Sequence, residues 1–385
     1  MRIAIDCSHH LIPGGVRTVI ENLLTAMVLR EPGNEYLLHY RRLRIPDDPI
    51  PLPPDARVRK ILVRAPRRLL SFLENTFGLP PVELWTGALD VFHGTHFILP
   101  PSRRSRRILT VHDAAYLRNP ALYGDPRYGE YNYRYLLPNA LRRADLVLAS
   151  SDSTRRDLIE FFHLKEDAVW VSHLGTDPRF APVGTDQKAP VLGRLGIGRP
   201  YVLYPVGTME LRKNLGRTLE AFAAAFPQRA DRPLLVFTGV GGDLVRLMED
   251  ASRLGLDGDL AVHRVKYPDD LAALMSGALW GMYLSLYEGF GLPVLESMAC
   301  GLPMVVSKAS SLPEVAGGDA VLVDPDSTEE IAAAMRMLQE DEALRRDLSA
   351  RGRRRATSHA FSWDRAARQT LAAYRGDRKA FDAVS

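Results

Sequence analysis

Short apolar runs alternating with helical patterns over all 385 residues predict an α/β fold, two doubly wound Rossmann-like domains facing across a cleft. Two observations carry this. The chain is too long for one ordinary core and about right for two. The alternation also lapses once, over residues 175–198, in GTDPRFAPVGTDQKAPVLGRLGIG, whose Gly and Pro content marks a connection. The expected division is an N-terminal domain over 1–178, a linker over 179–198, a C-terminal domain over 199–360 and a last helix over 361–385. In tandem doubly wound domains, ligands meet loops at the carboxyl ends of strands, so function is sought there.

Taken in order, the first set of strand-like runs is 3–5, 36–39, 58–63, 91–93, 108–111, 146–149 and 169–172. Each is short, apolar on both faces and followed by a helical pattern, as a sheet covered on both sides requires. The second set is 201–206, 234–237, 260–263, 282–286, 304–306 and 321–323. Helical patterns between and after these cover 215–226, 243–254, 269–278, 292–299, 328–339 and 341–350. A last helix, 363–374, follows without another strand; it either caps the second sheet or crosses back to the first domain, with Trp363 and Tyr374 as anchors. Residues 67–85 set Leu69, Leu70, Phe72, Leu73 and Phe77 beside arginines. Such a helix lies at a membrane or packs on the sheet, and the packed reading is the commoner one.

Composition excludes several classes. The hydrophobic fraction of 46% and charged fraction of 25% are those of a soluble globular protein, and no run approaches a membrane-spanning helix. MRIAIDCSHH enters a strand pattern directly, without the apolar region of a signal peptide, so a cytoplasmic protein is expected. Cys7 and Cys300 are far apart in segments that read as buried, which supports neither a disulfide framework nor a zinc site. The ten histidines show no HExxH spacing, and no protein-bound metal or cofactor is expected. The net charge of +4 is carried in arginine clusters: Arg41, Arg42 and Arg44; Arg64, Arg67 and Arg68; Arg103, Arg104, Arg106 and Arg107; and Arg351, Arg353, Arg354 and Arg355. They read either as solvated surface or as a contact for anionic lipid or a phosphorylated acceptor, placing the protein at the inner face of the membrane. No nucleic-acid motif accompanies them.

The stretch 282–306, MYLSLYEGFGLPVLESMACGLPMVV, concentrates the chemistry. Gly289 and Gly291 form a turn between strand and helix, Pro293 suits the first helical turn, and Gly301 with Pro303 ends the helix. Glu288 therefore sits on the turn and Glu296 inside the helix, both able to face whatever occupies the helix N-terminus, an anion site by virtue of its unpaired N–H groups. Other strand-end loops in this half point the same way. GTMELRKN (207–214) sets Arg212 and Lys213 before a helix, which suits neutralising a phosphate. GVGGD (239–243) is a glycine turn beginning at Gly239, and the loop 264–269, with Val265, offers backbone to a base. Together they describe a nucleotide diphosphate pocket, and the missing GxxxxGK[ST] argues against an NTPase. In the first half, HHLIPGGVR (9–17) carries Gly14 and Gly15 before a helix, and Arg17 beside them is either a phosphate contact or a surface residue. The loop lacks GxGxxG, which disfavours a nicotinamide dehydrogenase. His112 follows a strand end; Asp113 is its orienting partner or the cap of the next turn, and His93 and His96 are placed similarly.

YEGFGLPVLESMACGLPMVVS, GTMELRKN, TVHDAAYL, SDSTRRDLIEFF, VSHLGTDPRF, SSLPEVAGGDAVLVDPDSTEEIAAAM and FSWDRAARQTLAAYR together resemble the retaining glycosyltransferases of family 4, which have the GT-B fold. The resemblance implies a nucleotide diphosphate sugar as donor. Glu288 and the backbone of Gly289, Phe290, Gly291 and Leu292 would hold sugar and diphosphate, Glu296 the ribose, and Arg212 and Lys213 the departing diphosphate. Gly207, Thr208, Gly239 and Val265 would line the donor. His112 would lie near the sugar, with Gly14, Gly15, Arg17 and Asp113 on the phosphate or acceptor side. Some relatives carry arginine where Thr208 stands, so Arg212 beside Lys213 would take that part. The VHD and GTMELRKN forms look most like branches that move mannose or rhamnose to glycans on a lipid carrier, without a metal. A nucleotide-sugar epimerase of the same architecture and a non-catalytic glycan- or lipid-binding module are the alternatives.

Overall fold

In the computed structural model, which describes residues 1–10, 12, 14–42, 50, 52–122, 126–240, 242–265 and 268–384, the apolar runs pair as two wholly parallel sheets. Arg44, and parts of the loops 9–17, 239–243 and 264–269, lie outside the described residues. The first sheet holds β1 (Arg2–Asp6), β2 (Glu35–Arg41), β3 (Val58–Val63), β4 (Val91–Gly94), β5 (Arg106–Val111), β6 (Leu146–Ala149) and β7 (Val169–Val171), in the order β3-β2-β1-β4-β5-β6-β7. The second holds β8 (Tyr201–Thr208), β9 (Leu234–Val240), β10 (Leu260–His263), β11 (Gly281–Tyr283), β12 (Met304–Ser307) and β13 (Val321–Val323), in the order β10-β9-β8-β11-β12-β13. Strand order reverses beside β1 in one sheet and beside β8 in the other, and such switch points are where ligands bind in open α/β sheets. Burial explains the sequence pattern: Ile3, Ala4 and Ile5 on β1, and Val202, Leu203 and Tyr204 on β8, are all closed off from water, since helices cover both faces.

Helix starts obey local chemistry. Ser151, Asp243, Ser327, Asp341 and Ser362 each accept a hydrogen bond from a backbone N–H of the turn they precede. The last of these opens the helix Trp363–Arg375, which joins the unit containing β1–β7, whereas the described residues of 176–361, with 121 and 122, form the other unit. In the first unit that helix packs on the helix Gly15–Arg30, with Arg30 bonded to Asp364 at 2.9 Å. The Tyr374 hydroxyl lies 2.7 Å from His93 Nδ1, and Arg106 Nε donates to the Ala373 carbonyl at 3.0 Å.

Three expectations change. Residues 179–198 are not bare connection: a helix, Thr185–Arg194, forms there and packs on the helix Asp269–Gly277, with the Val183 N–H on Ser276 Oγ at 2.9 Å. The strand expected over 282–286 ends at Tyr283, because the Leu284 and Leu286 N–H groups turn to the Tyr204 hydroxyl and the Arg212 carbonyl. The helix Arg67–Phe77 buries Leu70 but leaves Leu69, Phe72 and Phe77 exposed, so only part of its apolar set is packed. Arginines of the last cluster serve packing: Arg351 pairs with Asp319 and Asp347, and Arg355 donates to the Val315 and Glu314 carbonyls.

Candidate functional site

In the second unit, the loops after β8 and β11 are stitched together by backbone before any side chain reaches a ligand. The Tyr204 hydroxyl donates to the Lys213 carbonyl at 2.6 Å and accepts the Leu284 N–H at 3.0 Å, while the Leu286 N–H donates to the Arg212 carbonyl at 2.8 Å. Asn214 adopts a left-handed conformation, φ 58°, which asparagine tolerates, and its amide donates to the Pro325 carbonyl at 2.7 Å. These contacts aim Arg212 and Lys213 at one carboxylate. Arg212 Nη1 lies 2.6 Å from Glu288 Oε2, and Lys213 Nζ lies 2.6 Å from Glu288 Oε1. Arg212 Nε also reaches Glu210 at 2.5 Å, and the Lys213 ammonium donates to the Tyr283 hydroxyl at 2.7 Å.

Burial by itself would raise the Glu288 carboxyl, but Arg212 and Lys213 beside it outweigh that and bring it down to about 2. Burial lowers the Lys213 ammonium, and Glu288 offsets part of that loss. Glu288 is thus a fixed anion rather than a proton donor at neutral pH. Arg212 and Lys213 against Glu210 and Glu288 make a cluster with no net charge. An arriving diphosphate would have to draw one of the cations away from its carboxylate, and Glu210, the more exposed of the two, is the easier one to leave.

The glycine turn that follows is held as firmly. The Glu288 N–H donates to Ser310 Oγ at 2.8 Å, and Ser311 Oγ lies 2.9 Å from the Glu288 carbonyl and 2.8 Å from that of Phe290. Ser310 itself sits at φ 50°, a conformation costing about 1 kcal/mol for a residue with a side chain. Gly291, at φ 109°, is the N-cap of the helix Leu292–Ala299, and a Cβ there would lie 2.7 Å from Leu312. Gly289 is half-buried and Phe290 and Leu292 are buried; Glu296 is buried one turn inside the helix. Gly207 and Thr208 are exposed at the end of β8, the Thr208 hydroxyl bonding Glu210. At Gly239, φ 143°, a Cβ would strike the Val206 carbonyl at 2.5 Å, so glycine is needed where β9 lies against the register shift between Pro205 and Thr208 of β8. Val265 is half-buried just after β10.

In the first unit, Gly14 is the N-cap and Gly15 the first residue of the helix Gly15–Arg30. Arg17 Nε donates to Glu21 at 2.8 Å, and His10 Nε2 lies 2.9 Å from the same oxygen. His112 Nε2 donates to the Thr95 carbonyl at 2.9 Å, which fixes the tautomer and leaves Nδ1 as the acceptor. Burial lowers its pKa, partly offset by that bond. Asp113 accepts the Ala115 N–H at 3.0 Å and the Tyr133 hydroxyl at 2.6 Å. Of the two roles open to Asp113, the structure shows the turn cap, and Thr95 orients His112.

Residues 13–180 match the model of Glycosyltransferase Family 4 and residues 194–355 that of Glycosyl transferases group 1. The O-antigen chain mannosyltransferase B of Escherichia coli is 33% identical over 295 residues, 74% of each chain. The chain belongs to the group 1 glycosyltransferases. The serotype-specific mannosyltransferase WbdA of Escherichia coli is 28% identical over 264 residues, 67% of this chain, and the match spans 32% of that longer protein. Sucrose-phosphate synthase from Thermosynechococcus elongatus superposes over 100% of both chains, with a TM-score of 0.75 and 22% identity, which places this glycosyltransferase in the GT-B fold.

Within this glycosyltransferase the structure brings Arg212, Lys213 and Glu288 into direct contact and sets the turn Gly289–Leu292 beside them. Sequence reasoning passed over Glu210, Tyr204, Tyr283, Ser310 and Ser311. The only signal for Glu210 was its place in GTMELRKN, and for the serines their place in SSLPEV; neither spacing reveals which side chain turns inward.

Proposed function

We propose that this glycosyltransferase moves a hexosyl group, mannosyl first and rhamnosyl second, from a nucleotide diphosphate sugar to a glycan or lipid-linked acceptor of surface polysaccharide, with retention of anomeric configuration. The observation that carries the donor reading is the pair Arg212 and Lys213, converging on Glu288 immediately before a helix N-terminus. Mannosyl comes first because the relative with 33% identity is named an O-antigen chain mannosyltransferase.

In the reaction the bond from the anomeric carbon to the phosphate oxygen breaks, and a bond to the acceptor hydroxyl oxygen forms on the same face. The acceptor's proton passes to the departing phosphate oxygen. Charge grows on the diphosphate as it leaves, and Arg212, drawn from Glu210 when the donor binds, stabilises that charge together with Lys213 and the N–H groups of the helix Leu292–Ala299. Glu288, held ionised, orients the glycine turn and the sugar; Glu296 takes the ribose, and Gly207, Thr208, Gly239 and Val265 line the nucleotide. His112, neutral with Nδ1 as acceptor, suits a sugar hydroxyl, while Gly14, Gly15, Arg17 and Asp113 form the acceptor or phosphate loop. No metal is required in this scheme. Both Glu210 and Glu288 already spend oxygens on cations, so a divalent ion would meet positive charge rather than a carboxylate cage.

The test is turnover of a panel of nucleotide diphosphate hexoses with an oligosaccharide acceptor in the presence of a chelator, the product's anomeric carbon being read by NMR. The expected product is a glycoside with the donor's configuration. An inverted glycoside contradicts the mechanism, and an epimerised nucleotide sugar with no glycoside favours the epimerase.

A further inference from the structure

The helix Arg67–Phe77 is turned inside out relative to a helix packed on a sheet. Its inward side carries Leu70, Ser71 and Glu74, all buried, with Glu74 ion-paired to Arg41 at 2.7 Å. Its outward side carries Leu69, Phe72 and Phe77, 54%, 51% and 63% exposed, the two phenyl rings meeting edge to face at 6.1 Å. Beyond Gly78 the apolar exposure continues with Leu79 at 52% and Leu84 at 70%. A monomer gains nothing in water by presenting five large apolar side chains from one short segment.

Exposed arginines lie beside this face. Arg64 and Arg68 are exposed at the helix, and Arg103 and Arg104 are exposed on a neighbouring loop. That loop is tied to the segment by Glu83, which accepts the Arg103 N–H at 2.9 Å and the Ser102 hydroxyl at 2.5 Å. The two carboxylates of residues 64–87, Glu74 and Glu83, are thereby both engaged in internal contacts. Among the described residues no helix is long and apolar enough to cross a membrane, so any lipid contact made by these helices lies at the surface.

We propose that the outward face of the helix Arg67–Phe77, extended by Leu79 and Leu84, docks on an anionic lipid surface. Leu69, Phe72, Phe77, Leu79 and Leu84 enter the boundary between headgroups and acyl chains, and the arginines meet the lipid phosphates. The complementarity of exposed apolar side chains beside arginines that form no ion pair among the described residues selects this occupant over a neutral partner. The proposal goes beyond the donor chemistry and stands independently of it.

The test is co-sedimentation of the full chain with phosphatidylcholine vesicles and with equimolar phosphatidylcholine and phosphatidylglycerol vesicles. The protein is expected to partition onto the anionic vesicles about tenfold better than onto neutral ones, and less well as salt is raised. Leu69→Ser with Phe72→Ser should lower partitioning at least about tenfold while moving the thermal midpoint much less than a core substitution would, because half of each side chain is already in water. Arg68→Glu with Arg103→Glu should remove only the preference for anionic vesicles. Three results would each overturn the proposal: wild-type protein left in the supernatant with anionic vesicles; full binding by the serine variant; or a dimer in solution that the serine variant breaks, with no vesicle binding.

Discussion

Glu210 is the residue that most changes the account of the donor loop. It takes one nitrogen of Arg212 while Glu288 takes another, so the free site spends two carboxylates on two cations. Glu288 is buried and held on a turn by Ser310 and Ser311, whereas Glu210 is half-exposed and, in the proposed reaction, would compete with an incoming phosphate. Glu210→Gln should therefore tighten nucleoside diphosphate binding a few-fold in calorimetry, most at low ionic strength. Weaker binding would instead make Glu210 the residue that positions Arg212. Arg212, Lys213, Glu288 and Glu296 stood out in the sequence as candidates, because cations and acids beside glycine turns at strand ends have few structural uses, and the structure brings the first three into contact. Tyr204 and Tyr283 did not, since their roles depend on contacts 70 to 80 residues apart, and Glu210 did not because its bond to Arg212, two residues on, is set by the turn and not by spacing.

At the level of elements, every strand-like run became a strand, because a run apolar on both faces has few other ways to satisfy its backbone. Edges moved where tertiary bonds outbid the ladder, as at Tyr283. The helix Thr185–Arg194 was hidden by Pro190 and by the absence of any buried side chain to give it a periodic stripe. The helix Arg67–Phe77 was legible as a helix but not in its orientation, because periodicity reports an apolar face without saying which way it points. The helix Trp363–Arg375 shows the reverse case: its stripe of Trp363, Ala366, Ala367, Leu371 and Tyr374 is buried, and Tyr374 meets His93 between β4 and β5. Burial first, and then the neighbouring His112, hold the His93 imidazole down to about 3 from 6.5. The unfolded chain takes up a proton between those values that the fold refuses. This contribution is intact above pH 6.5 and is lost as pH falls toward 3, by roughly 4 kcal/mol across the window. In thermal melts, His93→Gln should show a midpoint that varies less than wild type between pH 7 and pH 5. An unchanged slope would remove His93 as the source.

Over the whole molecule, two parallel sheets share one winding order, and in the second the residues that would receive a diphosphate gather on the loops after β8 and β11, on either side of the switch point. The two-domain α/β plan was legible because the alternation repeats along the entire chain; the membership of the last helix was not, since a helix of this composition caps either sheet equally well. Binding of the donor's diphosphate by Arg212 and Lys213 of the second unit is what the proposed function rests on. Its most direct test is calorimetric titration of nucleoside diphosphates into the wild type and into Lys213→Ala, both held below their thermal midpoints. Removing a buried, charge-assisted contact should weaken binding about tenfold to a hundredfold. Equal affinity in the two proteins would contradict the assignment.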